Sequence, residues 1–270
     1  MGTIFDSLHI SYLVISLVLT AGILVLAKLF LKSQKAKNIF LLVTGILPFV
    51  LHISIMWYDF LATGEAPRVS TNILFTVYPC NLVMFLVMII AFLPKKNTKI
   101  FQSLCIFAFY VGIVGNIAAL IYPIYYLGHP LNYEAIKSVL SHSILFICCL
   151  WLYIGGYFKI KLTNIIPYSI CLAGAILIGV INFFIFKAVG ADYQGIMYIQ
   201  RPAIPNTPLT IWIIAPLSLV VFGLVGFFVE FKDPKKERSY LHFYVFDQRN
   251  VDGSTIKNSE VKNIEVNKHD

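Results

Sequence analysis

Long apolar runs separated by short polar segments occupy the sequence up to about residue 231. Each run is about 20 residues long and nearly free of charge, which is typical of a transmembrane helix. Seven such runs cover about 9–30, 39–62, 73–93, 100–121, 136–158, 164–187 and 209–230. Because the connections between them are short, the pattern predicts one all-α domain over residues 1–231, a polytopic bundle of seven transmembrane helices.

From Lys232 onward the composition turns polar, and residues 232–270 cannot span a membrane. Lys, Asp, Asn and Glu are frequent there, so we predict a polar cytoplasmic tail that is largely disordered. One apolar patch, residues 240–246, interrupts this tail. It is expected to lie on the membrane surface or to form a short strand.

The basic residues follow alternate helices. They cluster after the first, third, fifth and seventh runs, as Lys28, Lys32, Lys35 and Lys37, then Lys95, Lys96 and Lys99, then Lys159 and Lys161, then Lys232, Lys235, Lys236 and Arg238. The other connections hold only Arg68, Lys137, Lys187 and Arg201. The positive-inside rule therefore predicts a multi-pass protein of the cell membrane with its N-terminus outside and its C-terminus in the cytoplasm.

Composition narrows the classes of function. Hydrophobic residues make up 59% of the chain and charged residues 13%, whereas soluble domains carry about 25% charged residues. The net charge of +8 is explained by topology and by anionic lipid at the inner leaflet, so we predict no nucleic-acid partner. The five cysteines lie in predicted helices without a CxxC pair, so neither a metal site nor a disulfide framework is predicted.

Uncharged polar side chains interrupt five of the apolar runs. Such groups are costly in hydrocarbon and usually face a bundle interior or a cavity, which makes them candidates for a functional site. Counted from the outer helix ends at 1.5 Å per residue, Cys80 and His52 lie about 10 Å deep, His142 about 9 Å, and Asn116 and Asn182 about 8–9 Å. The sequence therefore predicts one shared polar pocket that opens to the outer face.

The triplet Pro79-Cys80-Asn81 suggests how a thiol could be exposed inside this pocket. Pro79 has no N–H, so the carbonyl of Phe75 loses its helical partner and a kink is expected just before Cys80. Freed backbone at membrane depth is tolerated where protein or a water-filled cavity satisfies it. Tyr78, on the other side of the kink, is a further candidate for lining the pocket.

A catalytic pair can be built from this layer. A thiol reacts as the thiolate and needs a base or a favourable electrostatic environment. His142, with Ser141 beside it, could accept the proton of Cys80 from another helix. Asn116 or Asn182 could orient the imidazole or stabilise an oxyanion, as could the adjacent Asn81.

Each of these residues also has a structural interpretation. Asn116 and Asn182 could hydrogen bond between helices, which is common in membrane bundles. His52 could satisfy a polar neighbour instead of lining a site. A buried free cysteine such as Cys80 usually acts as a small hydrophobic residue.

Several of these segments resemble a known family, the bacterial YwaF-like integral membrane proteins with the animal transmembrane protein 164. The similar segments are residues 76–82 around Cys80, 140–143 around His142, 179–182 with Asn182, the loop through Met197 and Tyr198, and 215–216. The resemblance extends over most of residues 35–230. It implies a seven-helix fold and, from the animal member, fatty-acyl transfer on phospholipids by a Cys/His pair, here Cys80 and His142. Tyr198 joins the pocket candidates on this ground.

Together these observations predict an acyltransferase or acyl hydrolase that acts on membrane lipid near the outer leaflet through Cys80 and His142. No cofactor is expected, so another lipid or a thioester would supply the acyl group. The alternative is a carrier or channel for a small neutral or lipidic solute. Ion-coupled carriers usually need intramembrane Asp, Glu, Lys or Arg, and the sequence places none deeper than the helix ends.

Overall fold

The computed structural model describes residues 2–64, 77–96, 98–123, 126–127, 130–191, 193–234 and 238–242, except for the side chains of Asp59, Thr63, Leu241 and His242. The helices are α1 (Ser7–Phe30), α2 (Gln34–Thr63), α3 (Pro79–Phe92), α4 (Lys99–Ile121), α5 (Tyr133–Ile154), α6 (Ile165–Ala188) and α7 (Ile211–Phe231). Two 3-10 turns, Leu162–Asn164 and Ile196–Tyr198, and a short helix, Ser239–His242, complete the order. The residues in these ranges form no strand, which confirms the all-α class.

Six of the helices are long and apolar enough to cross a membrane, so the chain is a multi-pass membrane protein. The exception is α3, whose 14 residues extend only about 21 Å, less than the roughly 30 Å of the hydrocarbon core. The third apolar run of the sequence begins at residue 73, and residues 73–76 lie outside the described residues. A seventh complete span therefore stays a prediction.

Helix α5 is the centre of the bundle and packs against α1, α2, α3 and α4, while α6 packs against α4 and α7. Helices α4 and α5 approach each other closely at Gly112, where a methyl group would collide with the sulfur of Cys149. Both Cys148 and Cys149 are completely buried, as is common for free cysteines that pack as small hydrophobic side chains. This contact fixes the rotation of α4 relative to α5, and with it the polar residues further along both helices.

The basic connections meet at one end of the bundle, which we call the lysine-rich end. There the indole of Trp151 donates to the carbonyl of Lys37 at 3.3 Å and the hydroxyl of Tyr157 to Asn38 at 2.8 Å. The ring of Tyr157 also lies 5.9 Å from that of Phe101, at the start of α4. The opposite end, which we call the site end, holds the C-terminal parts of α2, α4 and α6 and the start of α3 and α5.

A buried carboxylate organises the lysine-rich end. Glu230, in the last turn of α7, is 1% exposed and accepts hydrogen bonds from the backbone N–H of Leu162 at 2.8 Å and of Ser239 at 2.7 Å. The hydroxyl of Ser239 donates to the same carboxylate at 2.9 Å. The first residues of the tail are thereby held against the start of α6. The rest of the predicted tail, with residues 243–246 of its apolar patch, lies outside the described residues.

The N-terminus is attached at the site end. Asp6 caps α1 by accepting from the N–H of His9 at 2.8 Å, and it accepts a short hydrogen bond from the hydroxyl of Tyr126. This hydroxyl and nearby backbone N–H groups lower the pKa of Asp6 to about 2. The ring of His9 donates to the carbonyl of Leu120 at 2.9 Å, which anchors the start of α1 to the end of α4.

Candidate functional site

Pro79 begins α3 instead of kinking a longer helix. Tyr78 is the N-cap, with extended backbone angles (φ −114°, ψ 156°), and Pro79 is in the first turn. At this position the N–H that proline lacks would have had no intrahelical partner. The predicted kink within a continuous helix is therefore wrong for residues 77–82, and Phe75 lies outside the described residues.

This start places Cys80 in the first turn of α3. The half-buried sulfur of Cys80 donates to the side-chain oxygen of Asn81 at 3.7 Å. Because the N-terminus of a helix carries partial positive charge, it favours negative charge on a nearby sulfur. Burial among apolar helices opposes that charge.

Asn81 connects Cys80 to α2. Its amide nitrogen lies 3.3 Å from Nε2 of His52, and its side chain is 6% exposed. An amide N–H₂ only donates, so His52 accepts with Nε2 in this contact. His52 thus holds the Asn81 amide with its oxygen towards the thiol.

His142 is held by Asn116 across the α4–α5 contact. The Nδ1 atom of His142 lies 2.8 Å from the amide oxygen of Asn116, whose amide nitrogen donates to the carbonyl of Gly112 at 2.6 Å. That second bond fixes the amide orientation, since a flipped amide would set two oxygens against each other. Nδ1 therefore carries the hydrogen, and Nε2 is the basic nitrogen of His142.

The Cys80–Asn81–His52 contacts and the His142–Asn116 contact are linked by the interaction of the two histidines. His52 and His142 are close enough to interact electrostatically, so a layer of polar side chains extends across α3, α2, α5 and α4. The hydrogen bonds of Cys80 and His142 go to different asparagines, Asn81 and Asn116. The structure thus brings the contacts of Cys80 and those of His142 to the site end. Catalysis by Cys80 and His142 stays a prediction.

A strained loop closes this region from the side of α6. Met197 and Tyr198 have left-handed backbone angles (φ 48° and 57°), which are costly for such side chains and occur often at functional sites. The N–H of Met197 donates to the carbonyl of Val77 at 2.6 Å. The ring of Tyr198 lies 5.7 Å from that of Tyr78. Burial, and secondarily the nearby thiol of Cys80, raises the pKa of Tyr198.

The remaining predicted site residues occupy other positions. The hydroxyl of Ser141 donates to the carbonyl of Ser138 at 3.1 Å, within its own helix. Asn182 lies on α6, one turn after Gly179, which packs against Met197. Of the two asparagines proposed to orient the imidazole, it is Asn116 that contacts His142.

Sequence reasoning missed that three charged residues, Lys137, Lys161 and Glu230, are buried. Lys137 lies in α5, five residues before His142, and is 9% exposed. Glu230 lies in the last turn of α7 and is 1% exposed. Near the ends of apolar runs, such residues are interpreted as topology signals or surface charges. Their positions inside the helices, and for Lys137 the proximity to the Ser141-His142 pair, were the signals available in the sequence.

The chain is similar to one known protein family. A family model described as the TMEM164 family matches residues 4–232, from the first residues before α1 to the end of α7. The match extends further towards the N-terminus than the similarity seen by motif. No curated protein and no solved structure shows significant similarity to this chain.

Proposed function

Because the chain belongs to the TMEM164 family, and because Cys80 starts a helix inside a polar layer, we propose that it is a thiol-dependent acyltransferase or acyl hydrolase of membrane lipids. The observation that carries the proposal is the position of Cys80 in the first turn of α3, where the backbone N–H groups of a helix have no intrahelical partner. Donors of this kind stabilise negative charge on sulfur or on an oxyanion formed next to it.

The reaction follows the logic of an activated nucleophile. The sulfur of Cys80 attacks the carbonyl carbon of an acyl ester, and the thiol proton passes to Nε2 of His142, directly or through one water. The ester C–O bond breaks, the leaving alkoxide takes the proton, and the acyl group remains on sulfur as a thioester. A hydroxyl of an acceptor lipid, or water, then attacks the thioester and returns a proton to sulfur through His142.

The remaining polar groups have supporting roles in this proposal. Asn116 keeps the imidazole of His142 in the tautomer that can accept a proton. Asn81, held by His52, orients the thiol, and Asn182 is a second candidate for stabilising the oxyanion. Tyr78 and Tyr198 cover the start of α3, which would exclude water from the reacting atoms.

We further propose that the site end faces the outer leaflet of the cell membrane. The lysine clusters lie at the opposite end of the bundle, and the positive-inside rule assigns such clusters to the cytoplasm. With this orientation the N-terminus is outside and the tail that follows Glu230 is cytoplasmic. Acyl esters lie just below the headgroups, at the depth where a nucleophile near a helix end can reach them.

The test is acyl transfer or release from a labelled phospholipid by the purified protein in vesicles. Cys80→Ala is expected to lower the rate about a thousandfold or more, because it removes the nucleophile. Cys80→Ser should keep a trace of activity, since a hydroxyl needs stronger help from a base than a thiol does.

Cys171 provides the matched control, because it is the other half-buried cysteine of the described chain, while Cys105, Cys148 and Cys149 are buried. Cys171→Ala should leave the rate unchanged. A lipid-like electrophile should label Cys80 ahead of the other four thiols. Full activity in Cys80→Ala, or equal labelling of all five cysteines, would contradict the proposal.

One observation favours a carrier or channel as the second candidate. Helix α3 is too short to cross the hydrocarbon core and follows an extended residue, Tyr78, and helix ends at membrane depth form substrate sites in many transporters. In that case Cys80→Ala would leave the function intact. Uptake of a neutral or lipidic solute into vesicles would then depend on the protein but not on its thiol.

A further inference from the structure

Lys137 is a buried cation next to the proposed reaction centre. It lies in the second turn of α5 and is 9% exposed, although most lysines in proteins are largely exposed. It is close enough to His142 for an electrostatic interaction. Neither the catalytic pair nor the packing of the helices makes use of its charge.

The described chain offers Lys137 little compensation. Its charged partner is Glu134, one turn earlier on the same helix, and the interaction is electrostatic and not a hydrogen-bonded ion pair. Buried charges in proteins are normally paired and hydrogen bonded, because an isolated one loses its hydration. An ammonium group in this position is therefore suited to an anionic ligand.

The depth of Lys137 indicates which anion. Along α5, His142 lies five residues deeper into the bundle, or about 7.5 Å. The headgroup layer on each side of a bilayer is about 5–7 Å thick, the difference between the full thickness and the hydrocarbon core. A lipid phosphate at the ammonium of Lys137 would thus place the first atoms of the acyl chains close to the level of His142.

We propose that Lys137 is a positioning residue that binds the phosphate of the lipid substrate and sets its ester at the depth of Cys80 and His142. This inference rests on the proposed function for the identity of the reaction, but the binding itself can be measured without turnover. It also links binding to catalysis. A positive charge near His142 disfavours a second one on the imidazole, and a bound phosphate offsets the charge of Lys137 when the imidazole must accept a proton.

The experiment measures lipid retention by Cys80→Ala protein, which cannot form the thioester. Purified protein is equilibrated with mixed micelles that contain labelled phosphatidylglycerol or the neutral diacylglycerol with the same chains. On this background Lys137→Gln is expected to lower retention of phosphatidylglycerol about tenfold to a hundredfold, the effect of one lost charge-assisted hydrogen bond. Diacylglycerol retention should not change, and Lys137→Arg should keep the preference for phosphate.

Lys187 provides the matched control. It is exposed in the last turn of α6, at the same end of the bundle, so Lys187→Gln removes an interfacial charge without touching the site. Equal loss of phosphatidylglycerol in both variants would show general attraction of lipid to interfacial lysines and would overturn the proposal. Unchanged retention in Lys137→Gln would overturn it as well.

A second readout separates an effect on lipid from an effect on the thiol. In protein with Cys80 intact, iodoacetamide, a small neutral electrophile, should label Cys80 at least as fast in Lys137→Gln as in the parent, because loss of a positive charge near His142 does not weaken the imidazole as a base. A fall in this labelling in Lys137→Gln would mean that Lys137 acts on the thiol or the imidazole, which contradicts a role in lipid binding. Selective retention of phosphatidylglycerol without any acyl transfer by the unmodified protein would instead refute the proposed function and leave the lipid site standing.

Discussion

One buried group at the lysine-rich end and two groups at the site end differ in how fully they are hydrogen bonded. At the lysine-rich end, the carboxylate of Glu230 accepts three hydrogen bonds, two from backbone N–H groups and one from the hydroxyl of Ser239. At the site end, Cys80 has a long hydrogen bond to Asn81, and the compensation that the described residues give the charge of Lys137 is electrostatic, from Glu134.

The difference distinguishes buried polar groups that stabilise the fold from buried polar groups that are available for function. A buried group whose hydrogen-bonding capacity is used up stabilises the fold, and removing it leaves its partners unsatisfied. A buried nucleophile or cation with weak contacts contributes little to stability and is available to a ligand. The bundle thus holds Glu230 with its three donors at one end, which we call the clamp. At the other end lie Cys80, Asn81, His52, His142 and Asn116, which we call the reactive layer.

The largest expected contrast between the ends is their accessibility from the two sides of the membrane. A tag inserted after Gly64, at the site end, should react with a membrane-impermeant antibody on intact cells. A tag after Asp270 should react only after permeabilisation, because the positive-inside rule places the lysine-rich end in the cytoplasm. The opposite pattern would place the reactive layer at the inner leaflet.

The next contrast is in stability. Glu230→Leu leaves the N–H groups of Leu162 and Ser239 without their acceptor, at about 1–3 kcal/mol each, so the free energy of unfolding should fall by about 2–6 kcal/mol. Cys80→Ala should cost about 1 kcal/mol, the typical effect of a single substitution. Thermal unfolding of the purified variants in detergent provides the measurement.

Glu230→Gln is the conservative control for the clamp, because one carbonyl oxygen remains to accept from the backbone. It should unfold between the parent and Glu230→Leu. If Cys80→Ala were the more destabilising change, the thiol would be part of the structural framework and the contrast between the ends would fail.

The smallest contrast is between the two asparagines that are candidates for orienting His142 in the reactive layer. Asn116→Ala removes the acceptor of the His142 Nδ1 hydrogen and should slow electrophile labelling of Cys80 about tenfold, part of the contribution of a positioned base. Asn182→Ala, on α6, should have a smaller effect. The rates are followed by mass spectrometry of labelled Cys80, and an unchanged melting temperature would show that the fold is intact.

If Asn182→Ala slowed labelling more than Asn116→Ala, the imidazole would be oriented from α6 in the reactive state. His142→Ala should abolish the effect of Asn116→Ala, because Asn116 acts through that ring. An effect that persists in the absence of the ring would mean that Asn116 acts on Cys80 itself.

Much of the architecture follows from hydropathy. Apolar runs must become helices in a membrane, because lipid offers no hydrogen bonds to exposed backbone, and the lysine clusters mark one end of the bundle. Helices α1, α2 and α4 to α7 accordingly occur where the sequence predicts them, with ends displaced by a few residues. The depth of the polar residues was also accessible, since rise per residue is constant in a helix.

The start of α3 was decided by packing. The hydropathy of residues 73–93 is continuous, so the sequence alone indicates a helix that kinks at Pro79. In the structure the Met197 loop hydrogen bonds to Val77, and α3 begins two residues later. The interaction of two segments about 120 residues apart in the chain therefore set the position of Cys80 at a helix N-terminus.

The sequence alone also could not predict which polar side chains hydrogen bond to each other. Depth placed Asn116 and Asn182 at the same level, but partner choice depends on how each helix is rotated about its axis. The contact of Gly112 with Cys149 turns Asn116 towards His142, and burial of Lys137 follows from the central position of α5. Composition and period along the chain determined the helices and their ends, while rotation and crossing of neighbouring helices, which only side-chain packing fixes, determined the site.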